Sequence, residues 1–123
     1  KIRILVVDDE KRLFSLVESY LTQEGYRVVS AYNGKDALTT ARREKPDLIV
    51  LDIMMPDING YEVCQKIKSS SETQGIKIIV LSAYLDDDAF TKMKEYGADA
   101  CFSKPLPLEQ LKYEVAKLLG YKK

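Results

Sequence analysis

Leu48-Ile49-Val50-Leu51-Asp52-Ile53-Met54-Met55-Pro56-Asp57-Ile58-Asn59-Gly60 is the stretch from which the rest of the chain is read. Four adjacent apolar residues end on a carboxylate, and Pro56 and Asn59-Gly60 mark the loop that follows. Such a run between turn signals reads as a strand buried on both faces, the kind found inside parallel sheets. Asp52 then stands where the strand leaves the sheet, the edge at which open α/β folds bind ligands. Taken alone, Asp52 reads equally as a loop-opening Asp or a helix cap.

The flanking sequence repeats the pattern. Ile2–Val7 is a nearly all-apolar strand ending on Asp8-Asp9-Glu10. Leu13, Leu16, Val17, Tyr20 and Leu21 follow at helical spacing, and Gly25 ends that helix. Arg27–Tyr32 is a more polar strand, which predicts a sheet edge. Asn33-Gly34 opens a helix with Ala37, Leu38 and Ala41 inward, ended by Pro46. After the central strand, Val63, Cys64 and Ile67 share one helix face, and a polar loop spans 69–75. Ile76–Leu81 is a fourth strand running into Ser82-Ala83. Asp86-Asp87-Asp88 opens a helix closed by Gly97, and three acids in a first turn complement the helix dipole. A short fifth strand over 99–102 runs into Ser103-Lys104-Pro105. Leu111, Val115, Leu118 and Leu119 mark the last helix, and 120–123 reads as a frayed tail or the start of a linker. Five strand–helix alternations with short connections predict a doubly wound α/β domain over residues 1–123. Its (βα)5 parallel sheet takes the order 2-1-3-4-5, with right-handed crossovers.

Composition narrows the function. The chain has 123 residues, 46% hydrophobic and 31% charged, so it is globular in character. Nineteen basic residues balance nineteen acidic ones, so bulk charge predicts no direct nucleic-acid or membrane surface. No apolar run approaches the roughly 20 residues of a membrane span, and the expected location is cytoplasmic. Cys64 and Cys101 stand in no metal or redox spacing and read as reduced core thiols. There is no histidine, which removes the usual general base and metal ligand together.

On this topology the strand ends bring Asp8, Asp9, Asp52, Ser82 and Lys104 to one rim. At ~4 Å and an effective dielectric near 20, each carboxylate pair repels by about 4 kcal/mol, so such a cluster calls for a cation or another functional use. The rim motifs offer oxygen ligands only, which suits a hard cation, and Mg2+ fits best because it takes few carboxylates and completes its shell with water and phosphate oxygens. Lys104 and Ser82 complete a phosphate site as point charge and hydroxyl donor. Asp52 is the natural nucleophile, since carboxylates form aspartyl-phosphates.

With VVDDE, LDIMMPDINGYE, Ser82-Ala83 and Ser103-Lys104-Pro105 together, the chain resembles the receiver domains of two-component response regulators over its full length. The resemblance implies that Asp52 is the phosphoacceptor, that Asp9 and Asp52 bind Mg2+ directly, that Asp8 helps through water, and that the Met54 carbonyl is a further ligand. It also implies that Ser82 bonds the phosphoryl group and swings inward on activation, that Ala83 leaves it room, that Lys104 pairs with it, and that the Lys104-Pro105 bond is cis. Met54 and Tyr84 would tune dephosphorylation, unless they are ordinary loop side chains. The donor would be a phosphohistidine on a sensor histidine kinase or phosphotransfer protein. The switched surface, around the fourth helix, fifth strand and fifth helix, would act on an output domain or target protein.

Two departures stand out. The place three residues before Lys104, often Tyr or Phe in the family, holds Cys101, while Phe102 falls on the alternate strand face. Ala100 and Glu109 occupy places where winged-helix regulators usually carry Asp and Arg, so the charged dimer of that subfamily is not expected. A monomer or weak dimer is.

Other readings compete. A Mg2+-dependent phosphohydrolase with an aspartyl nucleophile needs a second acid two residues on, and that place holds Met54; the expectation is therefore a switch, not a multiple-turnover enzyme. A flavodoxin-like nucleotide or flavin binder needs a first loop rich in Gly, Ser or Thr, whereas Asp8-Asp9-Glu10 would repel phosphate. A protein-interaction module without chemistry would leave Asp52 dispensable.

Overall fold

Side-chain alternation along β1 (Arg3–Val7), β3 (Leu48–Asp52) and β4 (Lys77–Ser82) divides the core into two layers. Leu5, Val7, Ile49, Leu51, Ile78 and Val80 face one way, and Ile4, Val6, Leu48, Val50, Ile79 and Leu81 face the other. A strand apolar on both faces needs cover on both, and helices supply it. The computed structural model describes residues 2–8, 10–52, 60–82, 87–103 and 107–120, with backbone only at 11–13, 87 and 89. The remaining elements are α1 (Lys11–Gln23), β2 (Arg27–Ala31), α2 (Gly34–Glu44), α3 (Gly60–Ser69), α4 (Asp87–Glu95), β5 (Ala100–Ser103) and α5 (Leu108–Leu118).

The sheet is parallel throughout, in the order β2-β1-β3-β4-β5. Ala37 and Ala41 of α2, Val63, Cys64 and Ile67 of α3, and Met93 of α4 cover one face. Phe14, Val17 and Leu21 of α1, with Leu111 and Val115 of α5, cover the other. Full burial of one such aliphatic or aromatic side chain is worth roughly 1.5–3 kcal/mol, so these two layers dominate what holds the fold. β2 lies at the edge, with Val28 and Val29 half-buried and Ser30 exposed.

Local signals set the helix ends. Asn33 caps α2 by accepting from the Asp36 amide at 2.9 Å, a contact worth about 1 kcal/mol. Gly25 and Gly97 follow α1 and α4 with φ of +93° and +102°. Paired amide bonds close each end: Gly25 to Thr22 and Tyr26 to Leu21, then Gly97 to Lys94 and Ala98 to Met93.

The expected elements are present, with ends shifted by a residue: β3 includes Asp52, β4 runs to Ser82, and β5 to Ser103. One core assignment fails. Leu16 was expected inward and is 56% exposed, while Phe14 is buried. The buried stripe of α1 is Phe14, Val17 and Leu21, and Leu16 lies about 100° around the helix from Val17. Tyr20 is half-buried. In β5, Cys101 packs in the α2–α3–α4 layer and Phe102 against the α1–α5 layer, as alternation requires.

Candidate functional site

The carboxyl end of the sheet gathers its polar side chains by register. Val7 pairs with Leu51, so the next residues, Asp8 and Asp52, stand on adjacent strands, which lie about 4.8 Å apart in a sheet. Asp52 pairs with Leu81, and Ser82 is the next residue along β4. Ser82 pairs in turn with Ser103, the last residue of β5. Three neighbouring strands therefore deliver Asp8, Asp52 and Ser82 to one edge.

All three are buried: Asp8 is 6% exposed, Asp52 7% and Ser82 0%. Burying two carboxylates side by side is costly unless charge or hydrogen bonds compensate. The Glu10 amide donates to Asp8 Oδ1 at 2.9 Å, and the Asp8 amide donates to the Ala31 carbonyl at 3.2 Å. The first bond bends the chain back as it leaves β1, in the manner of an Asx turn. Every donor atom these three side chains offer is oxygen, which fits a hard divalent cation and not a soft one.

The strand register places Asp8, Asp52 and Ser82 on one edge of the sheet. Asp9, Met54, Ala83 and Lys104 lie outside the described residues, as do Tyr84 and Pro105. Among the described residues, no group of three or more His, Cys, Asp or Glu side chains that could hold a metal is formed; Asp8 and Asp52 are the described pair of the expected acidic set. Both cysteines are free and buried. Burial pushes the Cys64 thiol up to about 12, against a smaller opposing pull from Lys68, and burial raises Cys101 as well. Protonated, buried thiols are inert, in keeping with core residues.

Residues 4–116 match the family described as the response regulator receiver domain. The chain belongs to that family. A relative named "Probable transcriptional regulator ycf27", from Cyanophora paradoxa, is 42% identical over 120 residues, covering 97% of this chain and 48% of the relative. The chain thus spans about half the length of the curated relatives it matches. A two-component response regulator from Clostridium difficile superposes with a TM-score of 0.92 at 28% identity, covering 98% of this chain and 97% of that one. The receiver domain of the sensor histidine kinase PA1611 from Pseudomonas aeruginosa gives a TM-score of 0.89 at 25% identity over 97% of this chain and 98% of that one. In that structure a magnesium ion is coordinated in the active-site cleft.

Sequence reasoning missed two features of this receiver domain. The first is a polar network at the amino end of the sheet, where Asp99 Oδ2 accepts from the Ile78 amide at 2.8 Å and from Lys68 Nζ at 3.1 Å. The second is a contact between α3 and α4, in which the rings of Tyr61 and Tyr96 meet edge-on with centroids 5.8 Å apart. The sequence signal at this place is Tyr96 just before the helix-ending Gly97 and Asp99 two residues after it.

Proposed function

We propose that residues 1–123 form a single receiver domain that accepts a phosphoryl group on Asp52 and acts as a signalling switch. The observation that carries this reading is the β1–β3 register, which sets buried Asp8 and Asp52 side by side with Ser82 one strand away. The magnesium ion in the PA1611 receiver supports the choice of cation. Asp8, Asp9, Asp52 and the Met54 carbonyl would hold Mg2+, which when bound supplies positive charge against the phosphoryl oxygens.

The chain's own residues do the rest. A carboxylate oxygen of Asp52 attacks phosphorus as the P–N bond of a donor phosphohistidine breaks, and the freed imidazole nitrogen takes up a proton. The donor is a sensor histidine kinase or a phosphotransfer protein. Lys104 pairs its ammonium with one phosphoryl oxygen, and the Ser82 hydroxyl donates to another, with Ala83 small enough to allow its approach. The unmodified carboxylate is already charged, so phosphorylation adds only about one further unit of negative charge. Placement of the new oxygens must therefore carry the signal, shifting a population between two packings of α4, β5 and α5. Hydrolysis by water resets the domain, which turns over its own phosphate and no external substrate. The switched surface acts on an output domain or target protein, in the cytoplasm, from a monomer or weak dimer.

Intact mass after incubation with a small acyl phosphate and Mg2+ tests the reading. Wild type gains one phosphoryl group, Asp52→Asn gains none, and chelation of the metal abolishes the gain. Lys104→Ala still accepts phosphate but shifts its partner affinity less. Equal modification of Asp52→Asn rejects the assignment.

A further inference from the structure

The chain continues from Asp52 to α3 and from Ser82 to α4, and these helices touch each other on the face of the sheet away from α1 and α5. Among the described residues, the following contacts contribute to that junction. Tyr61, the second residue of α3, meets the ring of Tyr96, which follows the last residue of α4, at an interplanar angle of 64°. Lys92 of α4 places Nζ 5.9 Å from the centroid of the Tyr61 ring. The Cys64 thiol of α3 donates to the Tyr96 carbonyl at 3.3 Å. Burial keeps that thiol protonated far above neutral pH, so the donor persists.

The junction has the properties a relay needs. Both tyrosines are half-buried, and Lys92 is exposed. A cleft of about 300 Å³ lined by Tyr61, Glu62, Gln65, Lys92 and Tyr96 opens beside them. Edge-on rings and a cation over a ring attract one another beyond the area they bury, so the contact couples the two helices. Behind this rim, Met93 and Cys64 are fully buried and pack in the same core layer. Among the described residues of β5, the side chain in this layer is Cys101, and the Phe102 ring belongs to the opposite layer. β5 therefore offers α4 no ring through which to be moved, and α3 does.

We infer that the Tyr61–Lys92–Tyr96 junction relays the phosphorylation state of Asp52 from the start of α3 to the end of α4. The inference rests on the proposed phosphoacceptor role and specifies how that site is read out. A phosphoryl group bridging Asp52 and Ser82 would act on the carboxyl ends of β3 and β4, from which the chain continues to these helices. The ring contact converts that action into a displacement of α4 over its buried Met93.

Amide spectra of the whole chain with Mg2+ and beryllofluoride, a phosphoryl stand-in, test it. In wild type, shifts at Asp52 and Ser82 are accompanied by shifts at Lys92–Tyr96. Tyr61→Leu should keep the shifts at Asp52 and Ser82 but show those over 92–96 reduced about twofold or more. Tyr61→Phe, which retains the ring, should behave as wild type. Lys92→Ala, altered at an exposed side chain and so safe for folding, should give an intermediate reduction. Undiminished α4 shifts in both Tyr61→Leu and Lys92→Ala overturn the relay and leave the phosphoacceptor intact. Absence of any shift at Asp52 and Ser82 in wild type overturns the phosphoacceptor reading, and the relay with it.

Discussion

The two ends of the same sheet treat carboxylates in opposite ways. At the amino end, Asp47 Oδ2 accepts from the amide of Arg3, the first residue of β1, at 2.9 Å. Asp99 does the same for the Ile78 amide of β4 and adds an ion pair to Lys68, whose Nζ also donates to the Ile76 carbonyl at 2.7 Å. Each acid there finishes a hydrogen-bond ladder that would otherwise leave an amide without a strand partner. At the carboxyl end, Asp8 and Asp52 are placed next to one another and more deeply buried, in a pairing of like charge. The first arrangement stabilises the fold, and the second is the pair to which the proposed function assigns a cation. The same residue type is structural at one edge and, on the proposed reading, chemical at the other, and strand register decides which.

The largest effect should fall on the amino end. Asp99→Ala removes the acceptor of a backbone amide and the charged partner of Lys68, whose ammonium keeps the Ile76 carbonyl, and should lower stability by about 3 kcal/mol in denaturant titration. It should leave Mg2+ binding intact. Gly97→Ala comes next: its φ of +102° disfavours an L side chain, and an added Cβ would lie 2.7 Å from Lys68 Cγ. A loss of about 2 kcal/mol is expected, again without effect on phosphoryl acceptance. At the carboxyl end the sign reverses. Asp8→Asn relieves repulsion while keeping an acceptor for the Glu10 amide, so the metal-free protein should become about 1 kcal/mol more stable as it loses metal affinity. A destabilised Asp8→Asn would break the contrast.

A pH effect supplies a control between the two ends. The Cys64 thiol is raised from its ordinary 9.0 to about 12 in the fold, chiefly by burial. An unfolded chain releases that proton first, so the contribution is complete below about pH 9 and is lost as pH rises from 9 toward 12. Melting temperature measured over that range should fall less steeply in Cys64→Ala than in wild type. Identical slopes would refute the shift.

The carboxyl end was legible in sequence because each signal there is local. An apolar run, an abrupt Asp or Ser, and a turn lie within a few residues, and the parallel topology aligns them. The amino end was not legible, because Asp47 reaches Arg3 and Asp99 reaches Ile78 across 44 and 21 residues of chain. No short window shows which acid will meet which amide. The α3–α4 ring contact was hidden for the same reason. Leu16 failed differently: α1 carries more apolar residues than one stripe can bury, and periodicity alone did not choose between Phe14 and Leu16.

Thermal melting with and without Mg2+, on wild type, Asp52→Asn and Asp99→Asn, tests most directly whether the carboxyl-end acids form a cation site. A ligand that binds only the folded state raises the melting temperature by an amount that grows with the logarithm of one plus its concentration over its Kd. The account predicts that Mg2+ stabilises wild type and Asp99→Asn by the same increment and leaves Asp52→Asn unmoved. An undiminished increment in Asp52→Asn, or its loss in Asp99→Asn, would contradict it.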